Sequence, residues 1–362
     1  MTAGPSPDPT RPVAHPPGAF VSGPIDPPSA DARQQATERL AALAIPTGAW
    51  GRLGDLAVWW SACQGQCPPT PPADVRAVLF AGDHGVASAG VSAYPSAVTP
   101  AMLSTIQTGG AGISVLARQH EVRLRVLDIA VAADVPGLPA DVTAHKIRRG
   151  SGSIDREDAC PADEIDRALA VGAQVAKEAM DGGAELLVVG DLGIGNTTPA
   201  AVLIGALLHL DANTVTGRGT GVDDDGLSRK RAVVAAALDR AATRTTDPRD
   251  LLAAAGSADI AAAVGFLVTA AHRGVPVLLD GLIAVAEALV AERLAPGAAA
   301  WFAAGHRSTE PAQSAALDAL GLPPLLDLGM RLGEGTGAVA AVPLVRSAAL
   351  VLGEMALLAD VL

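Results

Sequence analysis

The chain has 362 residues, of which 49% are hydrophobic and only 2% aromatic, and 26 Lys+Arg against 38 Asp+Glu leave a net charge of −12. That length allows one large or two modest domains. The small apolar side chains favour close-packed α/β layers over an aromatic-rich sandwich, and an acidic chain without basic runs argues against nucleic acid as a partner.

Residues 1 to about 30 hold nine of the 27 prolines and read as a disordered or loosely draped arm. From about Ala30 to Gln64 a helical pattern is interrupted at Pro46 and Gly48, which mark a turn between two helices. Trp50, Trp59 and Trp60 fall in this region and read as packing anchors. The three cysteines, Cys63, Cys67 and Cys160, fit a reducing cytoplasm, and "CQGQC" without a second pair reads as two incidental thiols rather than zinc ligands. No signal-peptide-like apolar stretch opens the chain. The apolar tail "SAALVLGEMALLADVL" is too short to span a bilayer and reads as a buried helix. The expectation is a cytoplasmic protein with no membrane partner and no metal.

A rhythm then sets in. "VRAVLF" (75–80), "VRLRVLDIA" (122–130), "ELLVVG" (185–190), "VPVLLD" (275–280), "AAAWFAAG" (298–305) and "PPLLDLGM" (323–330) are predicted strands. Helical stretches are predicted at 99–118, 163–181, 198–209, 228–243, 257–272, 283–293 and 311–320. Strands alternating with helices predict an α/β fold, a parallel sheet covered by helices on both faces in a Rossmann-like manner. Asp83, His84, Asp128, Asp191, Asp280, His306, Glu310 and Glu334 all fall at or just after a strand's carboxyl end, where open α/β sheets bind ligands.

Three loops stand out. "GDLGIGNTTPA" runs from a strand into a helix, with Asn196, Thr197 and Thr198 as capping candidates and Pro199 suited to the first turn. Such a helix N-terminus suits a phosphate, although the run lacks the third glycine of a dinucleotide fingerprint and the Lys-Ser/Thr of a Walker loop. "GRGTGVDDDGLSRK" holds a second glycine loop, Gly217, Gly219 and Gly221, with Lys230 on the next helix, where a lysine can neutralise phosphate, while Asp223–Asp225 read as a solvated acidic turn. In "GGAGISVLA" the helix is expected to continue, its glycines serving close packing. "RLGEGTG" sets Glu334 among three glycines, a pattern read either as a loop whose Glu suits a helix dipole or as a loop closing on a ligand. No Ser elbow or activated Cys motif points to hydrolase chemistry.

Together, "PTGAWGRLGDLA", "GDHGV", "VSAYPSAVT", "GGAGISVLA", "GDLGIGNTTPA", "GVPVLLDG" and "RLGEGTGAVAA" occur in one order and resemble the nicotinate-nucleotide–dimethylbenzimidazole phosphoribosyltransferase family of cobalamin biosynthesis, over roughly residues 34 to 362. The resemblance implies transfer of ribose 5-phosphate from nicotinate mononucleotide to 5,6-dimethylbenzimidazole or a related base, without a cofactor. It implies small-molecule substrates and a homodimer. It also implies a small helical subdomain built from both chain ends. The expected organisation is an arm (1–33), a helical part (34–72), the α/β domain (73–340) and a C-terminal helix joining the small subdomain (341–362).

By resemblance Glu334 is the general base and Asp191 stabilises the ribosyl cation, although many relatives carry Glu at the latter place. Gly193, Gly219 and Lys230 surround the 5′-phosphate, and Ser308 lies near the nicotinate. Asp83, Tyr94, Met102 and Leu192 form the acceptor-base pocket. Two other readings stay open: a Rossmann-type nucleotide enzyme using the Gly193 loop, and a catalytically idle relative that binds a base or nucleotide.

Overall fold

In the computed structural model, which describes residues 20–362, five strands and fifteen α-helices follow one another in chain order. They are α1 (Ala30–Ala42), α2 (Gly51–Gln64), β1 (Val75–Gly82), α3 (Val98–Gln107), α4 (Gly112–Gln119), β2 (Val122–Ala130), α5 (Ala140–Thr143), α6 (Ala162–Asp181), β3 (Leu186–Leu192) and α7 (Thr197–Leu208). After these come α8 (Ala212–Val215), α9 (Asp224–Ala241), α10 (Pro248–Ala255), α11 (Ala258–His272), β4 (Val277–Leu279), α12 (Leu282–Leu294), β5 (Phe302–Ala304), α13 (Pro311–Leu320), α14 (Thr336–Glu354) and α15 (Leu358–Val361).

The strands form one sheet in the order β2-β1-β3-β4-β5, every neighbouring pair parallel. Alternation along each strand divides the core in two, because successive side chains point to opposite faces. Val78, Phe80, Leu187 and Val189 join the cluster formed with α6, α7, α11 and α12. Ala77, Leu79, Leu186 and Val188 join the cluster formed with α2, α3, α4 and α14. Apolar burial on both faces explains why the strands read as continuous runs rather than as an alternating pattern. Trp60 is fully buried in the second cluster, and its indole N–H donates to the Thr70 carbonyl at 2.8 Å.

Several expectations are corrected. The predicted strand at 323–330 forms only an isolated bridge between Leu326 and His306; Pro323 and Pro324 have no N–H for a ladder, and Leu328 is 68% exposed. The predicted strand at 298–305 begins as a 3-10 turn (Ala298–Trp301) and is extended only over β5. The helix expected over 99–118 is two helices, parted where Gly109 takes φ +82° and Ala111 is extended. The tail read as one buried helix ends at Glu354, and α15 beyond it has no buried residue. The acidic turn at 223–225 opens α9, with Asp223 Oδ1 accepting from the Gly226 N–H.

Most of the arm, residues 1–19, lies outside the described residues. Residues 20–29, grouped with the arm on sequence, lie against the body: the Ile25 N–H donates to the Pro296 carbonyl, and the Trp301 indole donates to the Asp26 carbonyl.

Candidate active site

In the order 2-1-3-4-5 the sheet grows in opposite directions from β1 and β3, so the loops after these strands diverge and leave a crevice at their carboxyl ends. A cavity of about 440 Å3 lies there, a size suited to a small-molecule ligand. Of the ten site residues picked out on sequence, eight line it: Glu334, Asp191, Gly193, Gly219, Ser308, Tyr94, Met102 and Leu192. Tyr94 is 57% exposed and forms part of the solvent-facing wall. Asp83 and Lys230 are not in the lining.

Asp83 is instead a loop tie, its Oδ2 accepting from the Ala132 N–H at 2.9 Å and its carbonyl from the Ser151 N–H at 2.8 Å. Lys230 is fully buried behind the wall. Its ammonium donates to Thr197 Oγ1 at 2.7 Å, in the first turn of α7. It stands so close to Gly219 that a β-carbon there would lie 2.8 Å from Nζ. Burial, opposed by the charge of Glu310, lowers the Lys230 pKa from its ordinary value. Asn196 holds the N-cap position of α7 but caps nothing. Its amide turns away and donates to Asp191 Oδ1 at 2.7 Å. In the first turn Pro199 has no N–H and the Thr198 and Ala200 N–H groups donate to the Gly195 and Asn196 carbonyls, so Thr197 is the amide left there.

Glu334 is 7% exposed, and its Oε2 is buried without a hydrogen-bond partner. Gly333, Glu334 and Gly335 all lie in the left-handed region, at φ +81°, +60° and +83°. A Glu held there costs of order 1–3 kcal/mol, which the surroundings must offset. The loop lies directly on β3: a β-carbon on Gly190 would come within 2.9 Å of the Gly335 nitrogen, so only glycine admits this approach.

At Glu334 the α14 N-terminus, which would lower the pKa, stands against burial, which raises it, and the expectation for the bound complex is that burial wins. The α14 amides are taken by Asp280 instead. Its carboxylate accepts from the N–H groups of Gly335 (3.0 Å), Gly337 (2.8 Å) and Ala338 (3.2 Å), and His306 Nε2 stands 3.3 Å away. Burial opposes the Asp280 charge, but His306 and these amides hold its pKa below the ordinary value. Burial, with the neighbouring Asp280 charge second, raises Glu334 from 4.5 to about 7. A carboxylate with that pKa and a free lone pair is equipped to accept a proton near neutrality.

At the other end, Asp191 is pushed well above the carboxylate range by burial and then by the charge of Asp259. Sequence reading missed Asp259 and Glu287. Both lie in alanine-rich helices, α11 and α12, whose composition marks them only as core. It also passed over Arg331, which lines the cavity and stands three positions before Glu334 in the same Gly-rich loop.

A parallel α/β sheet with a cavity at its switch point, an uncapped helix N-terminus, a buried lysine and a proton-accepting carboxylate defines a nucleotide-handling transferase site. A family model described as "Phosphoribosyltransferase" matches residues 25–361, and the chain belongs to that family. It is 53% identical over 336 residues to the nicotinate-nucleotide–dimethylbenzimidazole phosphoribosyltransferase of Mycolicibacterium paratuberculosis, covering 93% of this chain and 96% of that one. It is 52% identical over 333 residues to the enzyme of the same name from Mycobacterium tuberculosis, covering 92% of each. The crystal structure of the Thermus thermophilus enzyme bearing that name superposes with a TM-score of 0.86 at 39% identity, over 92% of this chain and 98% of that one. The family resemblance and the α/β class read from the sequence are thereby borne out.

Proposed function

We propose that this chain transfers the phosphoribosyl group of nicotinate mononucleotide to 5,6-dimethylbenzimidazole or a related base, releasing nicotinate and α-ribazole 5′-phosphate. The observation that carries this reading is Glu334: a buried carboxylate, unpartnered at Oε2 and raised to about 7, in a cavity whose other end has a helix N-terminus and Lys230 behind it.

One azole nitrogen of the acceptor attacks the ribose anomeric carbon. The bond from that carbon to the pyridinium nitrogen breaks, and its electron pair neutralises the ring, so departure needs no acid. The second azole nitrogen gives its proton to Glu334. Positive charge builds on the ribose as the bond loosens, and Asp191 stabilises it. Burial and the Asp259 charge raise the Asp191 pKa, and the fixed positive charge of the donor favours its ionised form. The N-terminus of α7 at Thr197, with Lys230 and the Gly219 loop, receives the phosphate. Met102 and Leu192 flank the flat acceptor base, Tyr94 covers it from the solvent side, and Ser308 lies toward the nicotinate. The homodimer and the cytoplasmic location implied by the sequence belong to the same proposal; sedimentation at twice the 36.2 kDa chain mass supports the first.

The test is chromatographic detection of α-ribazole 5′-phosphate from the two substrates. Glu334→Gln should lower kcat by about 10²–10⁴-fold while both substrates still bind. Binding of both by the unaltered chain with no product would leave an idle binding protein instead.

A further inference from the structure

Beside the cavity, His84 (after β1), Asp191 (in β3) and Asp259 (in α11) converge. One ligand-capable atom from each lies within 4.8 Å of the others, and all three residues are buried. His84 Nε2 is 3.3 Å from Asp259 Oδ2. Hydrogen bonding accounts for little of this cluster. Beyond that His84–Asp259 contact and the bond from Asn196 to Asp191 Oδ1, the oxygens of Asp191 and Asp259 and the ring nitrogens of His84 have no hydrogen-bond partner. A further side chain adds independent weight. Glu287 of α12 is 0% exposed, neither of its oxygens is hydrogen-bonded, and the charges of Asp191 and Asp259 reach it. Among the described residues, none of these three carboxylates pairs with a lysine or arginine.

Buried charges without partners are costly, so the cluster must be neutralised. Protons on His84 and on Asp191 would neutralise the cluster one group at a time. A divalent cation takes lone pairs from all three side chains at once. With ligand bonds of about 2.1 Å, adjacent donors on such an ion stand roughly 3 Å apart and opposite ones about 4 Å; His84 and Asp259 are 3.3 Å apart within a cluster whose donor atoms lie within 4.8 Å of one another. One imidazole nitrogen with carboxylate oxygens is a donor set for first-row transition ions rather than for potassium or magnesium.

We propose that His84, Asp191 and Asp259 bind a divalent transition-metal ion of the manganese or zinc class at the cavity wall, with Glu287 as a nearby balancing charge. Asp191 also lines the cavity, so the ion sits one side chain from the substrates. The proposal is independent of the reaction assigned above, because metal uptake is read without substrates.

The test begins with chelator-treated full-length protein in metal-free buffer. It is titrated with Mn2+, and free ion is followed by electron paramagnetic resonance. The expected result is one Mn2+ per chain, displaced by Zn2+, with hyperfine coupling to an imidazole nitrogen and a higher thermal midpoint. Asp259→Asn and His84→Gln should each weaken binding at least ~10-fold, and His84→Gln should abolish the nitrogen coupling. No uptake by the folded unaltered chain, uptake without nitrogen coupling, or binding unchanged in both variants overturns the proposal. If a variant fails to fold, the stoichiometry and nitrogen coupling of the unaltered chain decide.

Discussion

Two buried histidine–aspartate pairs lie at the carboxyl edge of the same sheet, each with Nε2 3.3 Å from a carboxylate oxygen. By residue type and spacing they are indistinguishable, yet their surroundings differ. Asp280 of the His306 pair also accepts three backbone N–H groups at the start of α14, so its charge is satisfied and the pair braces the Glu334 loop. Asp259 of the His84 pair has the imidazole but no such set of helix amides, and two further buried carboxyls, Asp191 and Glu287, stand near it. A buried ion pair is architecture when amides complete it and a site awaiting a ligand when they do not.

The largest effect should follow from removing the brace. Asp280→Asn should cost about 3 kcal/mol of stability in denaturant unfolding, since His306 and three amides lose their charged partner. It should also lower kcat, because the Glu334 loop loses its anchor. An effect below ~0.5 kcal/mol would mean the brace is dispensable.

Next in size is the pH response at the braced end. Glu334 must be ionised to accept a proton, so the rate should fall about tenfold per pH unit below about 7 and level off above it. Stability runs the other way. Between pH 4.5 and about 7 the folded chain holds a proton on Glu334 that the unfolded chain has released, so stability falls as pH rises across that window. Glu334→Gln should flatten both curves, and a rate profile unchanged by it would remove Glu334 as the base.

Lys230 is an intermediate case, a buried charge with one hydrogen bond to Thr197. Lys230→Ala should raise KM for the donor by roughly 10–100-fold, the loss of a charge-assisted contact, with little change in the acceptor's KM. Equal effects on both substrates would place it elsewhere than at the phosphate.

The smallest effect bears on the unbraced pair. In chelator-treated protein Glu287→Gln should raise stability by about 1 kcal/mol, because it removes an unpartnered buried carboxyl. With Mn2+ present the gain should shrink or reverse. A loss in the metal-free protein would show that Glu287 has a partner after all.

Local pattern in the chain was enough to specify the parallel sheet, the loops at its carboxyl edge and the position of Glu334. Apolar runs, glycines and turn residues act over a few positions, and their pattern survives in one dimension. The same locality misled at 323–330, where an apolar run resembles a strand but two prolines deny it a ladder, and at 108–111, where alanine and glycine hid a helix break. It took the packing of distant segments to show that Asp280 rather than Glu334 takes the α14 amides, and that Asp83 ties a loop outside the cavity lining. That packing alone brought Asp259 and Glu287, each anonymous within an apolar helix, beside Asp191. Whether a buried carboxyl is satisfied depends on donors from distant segments, and no local pattern records which segments will meet.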